Sequence, residues 1–217
     1  AHGRPWRRCA VAGGHPPRVT AVQIGILGGT GPAGSALAAR LASVGHEAII
    51  GSRSKYRAME VVDKLQVQWA GRDLKVVAGD NPAAADAEVV VIATPWDGAY
   101  GTATSVADQL TDKVVICMAN ALTRIGKEFQ PLVPPRGSVA ASVQAAVPRC
   151  RVAAGFHHVP AKELGDLDHP IESDVLICSD FPEATEITSR IVLSIPNLRP
   201  LDAGGLSQAT PIESFTP

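Results

Sequence analysis

Short β-branched runs alternate with alanine-rich stretches from about residue 21 onward, and each kind of segment has its own period. Val89-Val90-Val91-Ile92-Ala93 shows no polar alternation, which predicts a strand covered on both faces, as in the middle of a parallel sheet. Strands are expected near 21–27, 47–51, 74–78, 89–93, 113–118, 151–157, 174–178 and 198–202. Helices fall between them, at about 32–44, 55–69, 82–87, 98–110, 138–146 and 182–194. Asn81-Pro82 reads as an N-cap before a first-turn proline, Asp180-Phe181-Pro182-Glu183 has the spacing of a capping box, and Gly45 ends the first helix. The segment 119–137 holds Pro131, Pro134, Pro135 and Gly137 and is expected to cross the surface as an ordered loop. Alternation of this kind predicts an α/β fold, a Rossmann-like doubly wound parallel sheet, whose ligands bind at the carboxyl ends of the strands.

Composition narrows the partners. The 217 residues are enough to bury a core without metal or disulfide staples, and 46% apolar against 19% charged residues argues for a globule. A net charge of −1 offers no field for nucleic acid or an anionic membrane, and no apolar run approaches the ~20 residues that span a bilayer. The charge is uneven, since Arg4, Arg7, Arg8 and Arg18 all precede the first carboxylate, Glu47. Residues 1–20 are read as a disordered extension. Cys9, Cys117, Cys150 and Cys178 are scattered, with no paired spacing for zinc or a disulfide framework, which suits a reducing cytoplasm.

The chemistry gathers at the strand ends. Gly29, Gly31 and Gly34 form G-x-G-x-x-G between a predicted strand and helix, the context in which such glycines admit a pyrophosphate to a helix N-terminus. After the second strand, where an NAD enzyme places an acid for the ribose, the chain reads Ser52-Arg53-Ser54-Lys55-Tyr56-Arg57. A hydroxyl and several cations in that place suit the 2′-phosphate of NADP, because a guanidinium offers paired donors to an oxyanion. Thr94-Pro95-Trp96 ends the fourth strand and could wall the nicotinamide, although Trp96 could equally be a core residue. Asn120 ends the fifth strand, where its amide either holds a carbonyl or closes a turn. His157 and His158 follow the sixth, and on a strand only one of them would face the cleft. Neither a metal set nor a nucleophile triad is apparent, so the reactive groups are expected to belong to cofactors.

Taken together, G-G-T-G-x-x-G, I-G-S-R, T-P-W, F-H-H-V-P-A at 156–161, S-D-V-L-I-C at 173–178 and L-R-P-L-D-A-G at 198–204 closely resemble the NADPH-dependent reductases of coenzyme F-420. The resemblance runs from about Val22 to Thr216. It implies hydride transfer between NADP(H) and the deazaflavin of F-420, with small-molecule cofactors as partners. It also implies roles for Thr30 and the glycine turn at the pyrophosphate, for Ser52, Arg53 and Arg57 at the 2′-phosphate, and for Trp96 and His157 beside the nicotinamide and deazaflavin. Family members continue beyond the end of this chain, which is therefore expected to be truncated within a small C-terminal part, with a homodimer implied when that part is complete. The resulting division is an extension at 1–20, an NADP-binding Rossmann domain at 21–150 and a C-terminal part at 151–217 covering the cleft. The alternatives are an NADP-dependent reductase of another small acceptor, such as an imine, a flavin or a metal chelate, and a non-catalytic NADP-binding module.

Overall fold

The computed structural model describes residues 20–214; the proposed extension lies almost wholly outside them, and so does Cys9. The strands, in chain order, are β1 (Gln23–Leu27), β2 (Glu47–Ser52), β3 (Val76–Asp80), β4 (Val89–Ile92), β5 (Val114–Cys117), β6 (Leu122–Ile125), β7 (Glu128–Pro131), β8 (Arg151–Ala154), β9 (Ser173–Ser179) and β10 (Leu198–Asp202). The helices are α1 (Pro32–Ser43), α2 (Lys55–Gln68), α3 (Asn81–Ala85), α4 (Trp96–Ser105), α5 (Val139–Ala146), α6 (Ala161–Gly165), α7 (Pro182–Ser194) and α8 (Ala209–Ser214). Eight strands make one sheet in the order β10-β9-β8-β5-β4-β1-β2-β3. β1 pairs in parallel with both β2 and β4, so the direction of winding reverses at its carboxyl end, the place where α/β sheets bind ligands.

Side chains of the central strands divide between two buried layers. Ile24, Ile26, Val89 and Val91 join the layer that contains α1 and α7, while Leu27, Val90 and Ile92 join the layer that contains α3, α4 and α5. Every residue of β4 is buried, as the unbroken apolar run requires. The contact between α3 and the sheet is unusually close. A Cβ at Gly25 would stand 1.7 Å from the Ala84 carbonyl oxygen, and one at Gly51 would stand 2.7 Å from the Ala84 Cβ, so only glycine admits the helix at this distance.

Several local expectations differ from what the structure contains. The segment expected as a loop forms a β6–β7 hairpin, because Gly126 supplies a turn at φ 65° and the prolines fall at or beyond the end of β7, where no ladder N–H is lost. β8 stops at Ala154 because Phe156 adopts φ 64°, which ends the extended chain before the histidines. The cap of α3 is Asp80, whose carboxylate accepts the Ala83 N–H at 2.8 Å; Asn81 is the first helical residue. Asp180 makes no capping box and instead accepts the Leu206 N–H at 3.0 Å. Residues 151–202 extend the main sheet by three strands, and β9 runs antiparallel to β8. The short helices α6 and α8 carry no sequence signal strong enough to announce them. α6 is held from a distance by Arg40, a buried residue of α1 whose guanidinium donates to the carbonyl oxygens of Glu163, Leu164, Asp166 and His169.

Gly25→Ala is expected to lower the free energy of unfolding by at least about 3 kcal/mol, since the added methyl meets backbone and α3 must move off the sheet. Urea denaturation monitored by circular dichroism measures the loss.

Candidate active site

A cleft of about 860 Å³ lies over the carboxyl ends of β1, β2 and β4. Its floor is the turn after β1. Gly28 takes φ 75°, a left-handed conformation, so the sharp bend belongs to the residue just before the first glycine of the G-x-G-x-x-G motif. Gly29 donates its N–H to the carbonyls of Ile26 and Gly51, both at 3.1 Å, and the turn is thereby pinned to β2. Gly31 caps α1 without a side chain, and Pro32 occupies the first turn, where a missing N–H costs nothing. The remaining glycines have separable reasons. A Cβ at Gly31 would make only ordinary contact, 3.5 Å from the Gly28 oxygen, whereas one at Gly34 would approach the Gly29 Cα to 2.8 Å. Gly34 is a packing requirement of the fold; Gly31 keeps the floor of the cleft open beside Thr30.

The wall after β2 is basic. Ser52 is buried and accepts the Ser54 N–H at 3.2 Å, and Arg53 and Arg57 are exposed side chains that line the cleft. The first turn of α2 contains no acid, and among the described residues neither arginine enters an ion pair. Cations there oppose the helix dipole, so the arrangement favours an incoming anion. Two buried polar atoms of the cleft residues, Thr94 Oγ1 and Asn81 Oδ1, have no hydrogen-bond partner among the described residues. An open glycine floor and cations without an ion-pair partner among the described residues fit a phosphorylated dinucleotide.

Pro95 borders the cleft, while Trp96, half-buried, lines an adjoining cavity of about 570 Å³ with Tyr100, Pro134 and Pro135. Asn120 and His157 lie at the ends of neighbouring strands and form a reciprocal pair. Asn120 Nδ2 donates to the His157 carbonyl at 2.8 Å, and the His157 Nδ1–H donates to Asn120 Oδ1 at 2.7 Å. This orientation makes Nδ1 the protonated nitrogen of a neutral ring. Burial, and secondarily the charge on His158, pushes its pKa down to about 3. His158 diverges from it and donates Nε2–H to the Asp174 carbonyl, a contact that holds the histidine segment to β9.

Two further residues have places here that local pattern does not announce. Asn81 read as a cap, and its place in the cleft follows from the adjacency of β3 and β2. Glu213 of α8 accepts the Val139 and Ala140 N–H groups at 2.7 and 3.1 Å, while Ser138 Oγ accepts the Ala141 N–H at 3.0 Å, so the start of α5 is satisfied by residues on both sides of it. Burial pushes Glu213 up to about 7, against these two amide bonds. Cys117 and Cys178 are free and buried, with thiols pushed up to about 12, and so are poor nucleophiles. No helix among the described residues is long and apolar enough to cross a membrane.

A doubly wound sheet with a glycine turn and a cleft at its switch point defines a Rossmann-type nucleotide-binding fold. Residues 23–121 match the family model of F-420-dependent NADP oxidoreductases. The F-420-dependent NADP reductase of Methanocaldococcus jannaschii is 34% identical over 201 residues, covering 90% of this chain and 90% of that protein. Its counterpart from Methanothermobacter thermautotrophicus is 34% identical over 210 residues, covering 92% and 88%. The chain belongs to the F-420-dependent NADP reductase family. Among solved structures, an Arthrobacter protein superimposes with a TM-score of 0.75 at 22% identity over 88% of this chain and 89% of that one. An imine reductase from Bacillus cereus gives 0.58 at 16% identity over 88% and 57%, a likeness of fold alone.

Gly31→Ala should fold with near wild-type stability, whereas Gly34→Ala should lose about 1–3 kcal/mol to overpacking, as read by thermal unfolding of both variants. A second expectation concerns pH. A histidine whose folded pKa lies below its unfolded value contributes stability above about pH 6.5 that is lost as pH falls toward the folded value near 3. Relative to wild type, the stability deficit of His157→Gln should therefore shrink below pH 6.5 by up to about 1.4 kcal/mol per pH unit. Urea unfolding across a pH series checks this, and a deficit independent of pH would mean that His157 titrates normally.

Proposed function

We propose that the chain transfers a hydride between NADP(H) and the deazaflavin of coenzyme F-420. The observation that carries this reading is the basic, acid-free end of β2, which opens into a glycine-floored cleft in a member of this reductase family. Ser52, Arg53 and Arg57 hold the 2′-phosphate through hydrogen bonds and charge. Thr30 and the backbone of the turn from Gly29 through Gly31 to Gly34 take the pyrophosphate, with the α1 N-terminus behind them. Thr94, Pro95 and Trp96 border the nicotinamide end, and Asn120 and His157 lie on the acceptor side.

When bound, the nicotinamide supplies a hydride and the deazaflavin accepts it, so the transfer needs no obligatory protein base. What the chain contributes is position and the exclusion of water. His157, kept neutral with its Nδ1 proton on Asn120, orients the acceptor side and leaves the proton count of the site unchanged over the working pH range. The reading extends to a cytoplasmic protein that acts on small molecules and binds no nucleic acid, and to a homodimer when the C-terminal part is complete.

The test is a turnover assay of the purified protein with NADPH and F-420, following the deazaflavin absorbance, with NADH as control. Loss of the deazaflavin band with NADPH and little change with NADH is the expected result; absence of turnover with both overturns the reading. Arg53→Ala should weaken NADPH binding by about 1.5–3 kcal/mol and leave NADH binding nearly unchanged, as measured by titration calorimetry.

A further inference from the structure

The β6–β7 hairpin stands clear of the rest of the protein. Among the described residues its two strands pair only with each other, and every residue from Arg124 to Val133 is exposed. Opposite residues of an antiparallel ladder share a face, so the pairing of Arg124 with Phe129 and of Ile125 with Glu128 puts Phe129 on one face and Ile125 on the other. These two side chains are 59% and 55% exposed, and Leu132 and Val133 carry the apolar surface on toward the foot. A two-stranded hairpin is marginal in water unless another surface covers it. Apolar side chains on both faces and two open edges call for a groove, not for a flat surface.

We propose that this hairpin is an arm exchanged between two copies of the chain, each arm seated in the other copy's cavity between α4 and α5. Arm and cavity are neighbours on one molecule. β7 runs on into Pro134 and Pro135, which line the cavity of about 570 Å³ together with Trp96, Tyr100, Val139 and Ala146. A projection beside a hollow suits a two-fold axis, because each copy then gives an arm and receives one. Charge fixes the orientation. Lys127 and Glu128 lie at the tip of the arm, Asp97 and Arg136 line the cavity, and among the described residues none of the four enters an ion pair. The exchange brings ammonium to carboxylate and carboxylate to guanidinium in both halves of the pair. Arm and lining supply about twenty residues from each copy, as many as a stable interface uses per side. All of them fall within residues 96–146, so the contact goes beyond the homodimer reading above, which waits on the C-terminal part.

The experiment is sedimentation velocity of the purified chain over a concentration series, with circular dichroism to confirm the fold of each variant. Wild type should be a dimer that dissociates on dilution. Phe129→Ser and Ile125→Ser, which remove exposed side chains, should each raise the dissociation constant by about tenfold or more. Glu128→Lys and Arg136→Glu should each weaken the dimer. Their combination should recover most of the loss, because it restores opposite charges in both contacts. If a serine variant does not fold, the charge exchange decides. A wild-type monomer at every concentration overturns the proposal. So does a dimer indifferent to all four single variants, which would join through another face, and so does a double variant no better than its parents. Assemblies larger than a dimer also overturn it, since a closed two-fold exchange forms none.

Discussion

The site depends on how closely backbone approaches backbone at the winding reversal. Leu27 pairs with Gly51 on one side and with Ile92 on the other, and the Gly29 N–H reaches across to the Gly51 carbonyl. On the opposite face of the same strands, α3 lies so near that Gly25 and Gly51 have no room for a side chain. The glycine floor, the basic wall after β2 and Asn81 are therefore positioned by contacts that contain almost no side-chain freedom. A cleft built this way is rigid, which suits a reaction in which the protein's contribution is placement of two bound rings.

Three buried polar groups tie distant parts of the chain to this framework. Arg40 gathers the carbonyls at the end of α6, Glu213 closes the start of α5, and His157 locks to Asn120 between the ends of β5 and β8. Each carries a desolvation cost, and each is offset by more than one hydrogen bond. They differ in how they respond to pH. Below about pH 6.5 the neutral His157 loses stabilising effect, while Glu213 contributes most below its ordinary carboxylate range and loses that contribution as pH rises toward 7. The opposing signs flatten the dependence of stability on pH across the slightly acidic range.

Electrostatics at the cleft follow a different logic from those in the core. Arg53 and Arg57 stay exposed and, among the described residues, without ion pairs at the start of a helix, where they weaken the free protein slightly and would strengthen a complex with a phosphate. Such cations favour an anion in the cleft more than they favour the unliganded fold.

Local pattern determined the elements and the chemistry of the first two strand ends. The period of the apolar residues marks β1, β2, β4 and β5, and the glycine spacing and the missing acid after β2 are legible because each acts within a few residues of itself. Only the tertiary structure decided the β6–β7 hairpin, the antiparallel β9 and the ends of β8, since these depend on where prolines and a single left-handed residue fall relative to neighbouring strands. The same holds for Arg40, Asn120, His157 and Glu213, whose partners lie 37 to 129 residues away. Asn81 looks like a helix cap in sequence because Asn before Pro is a good local cap; it became a cleft residue because Asp80 took the capping bond and strand pairing carried its amide to the site. Short-range rules read composition and period, and no short-range rule contains the pairing of strands that are distant in sequence.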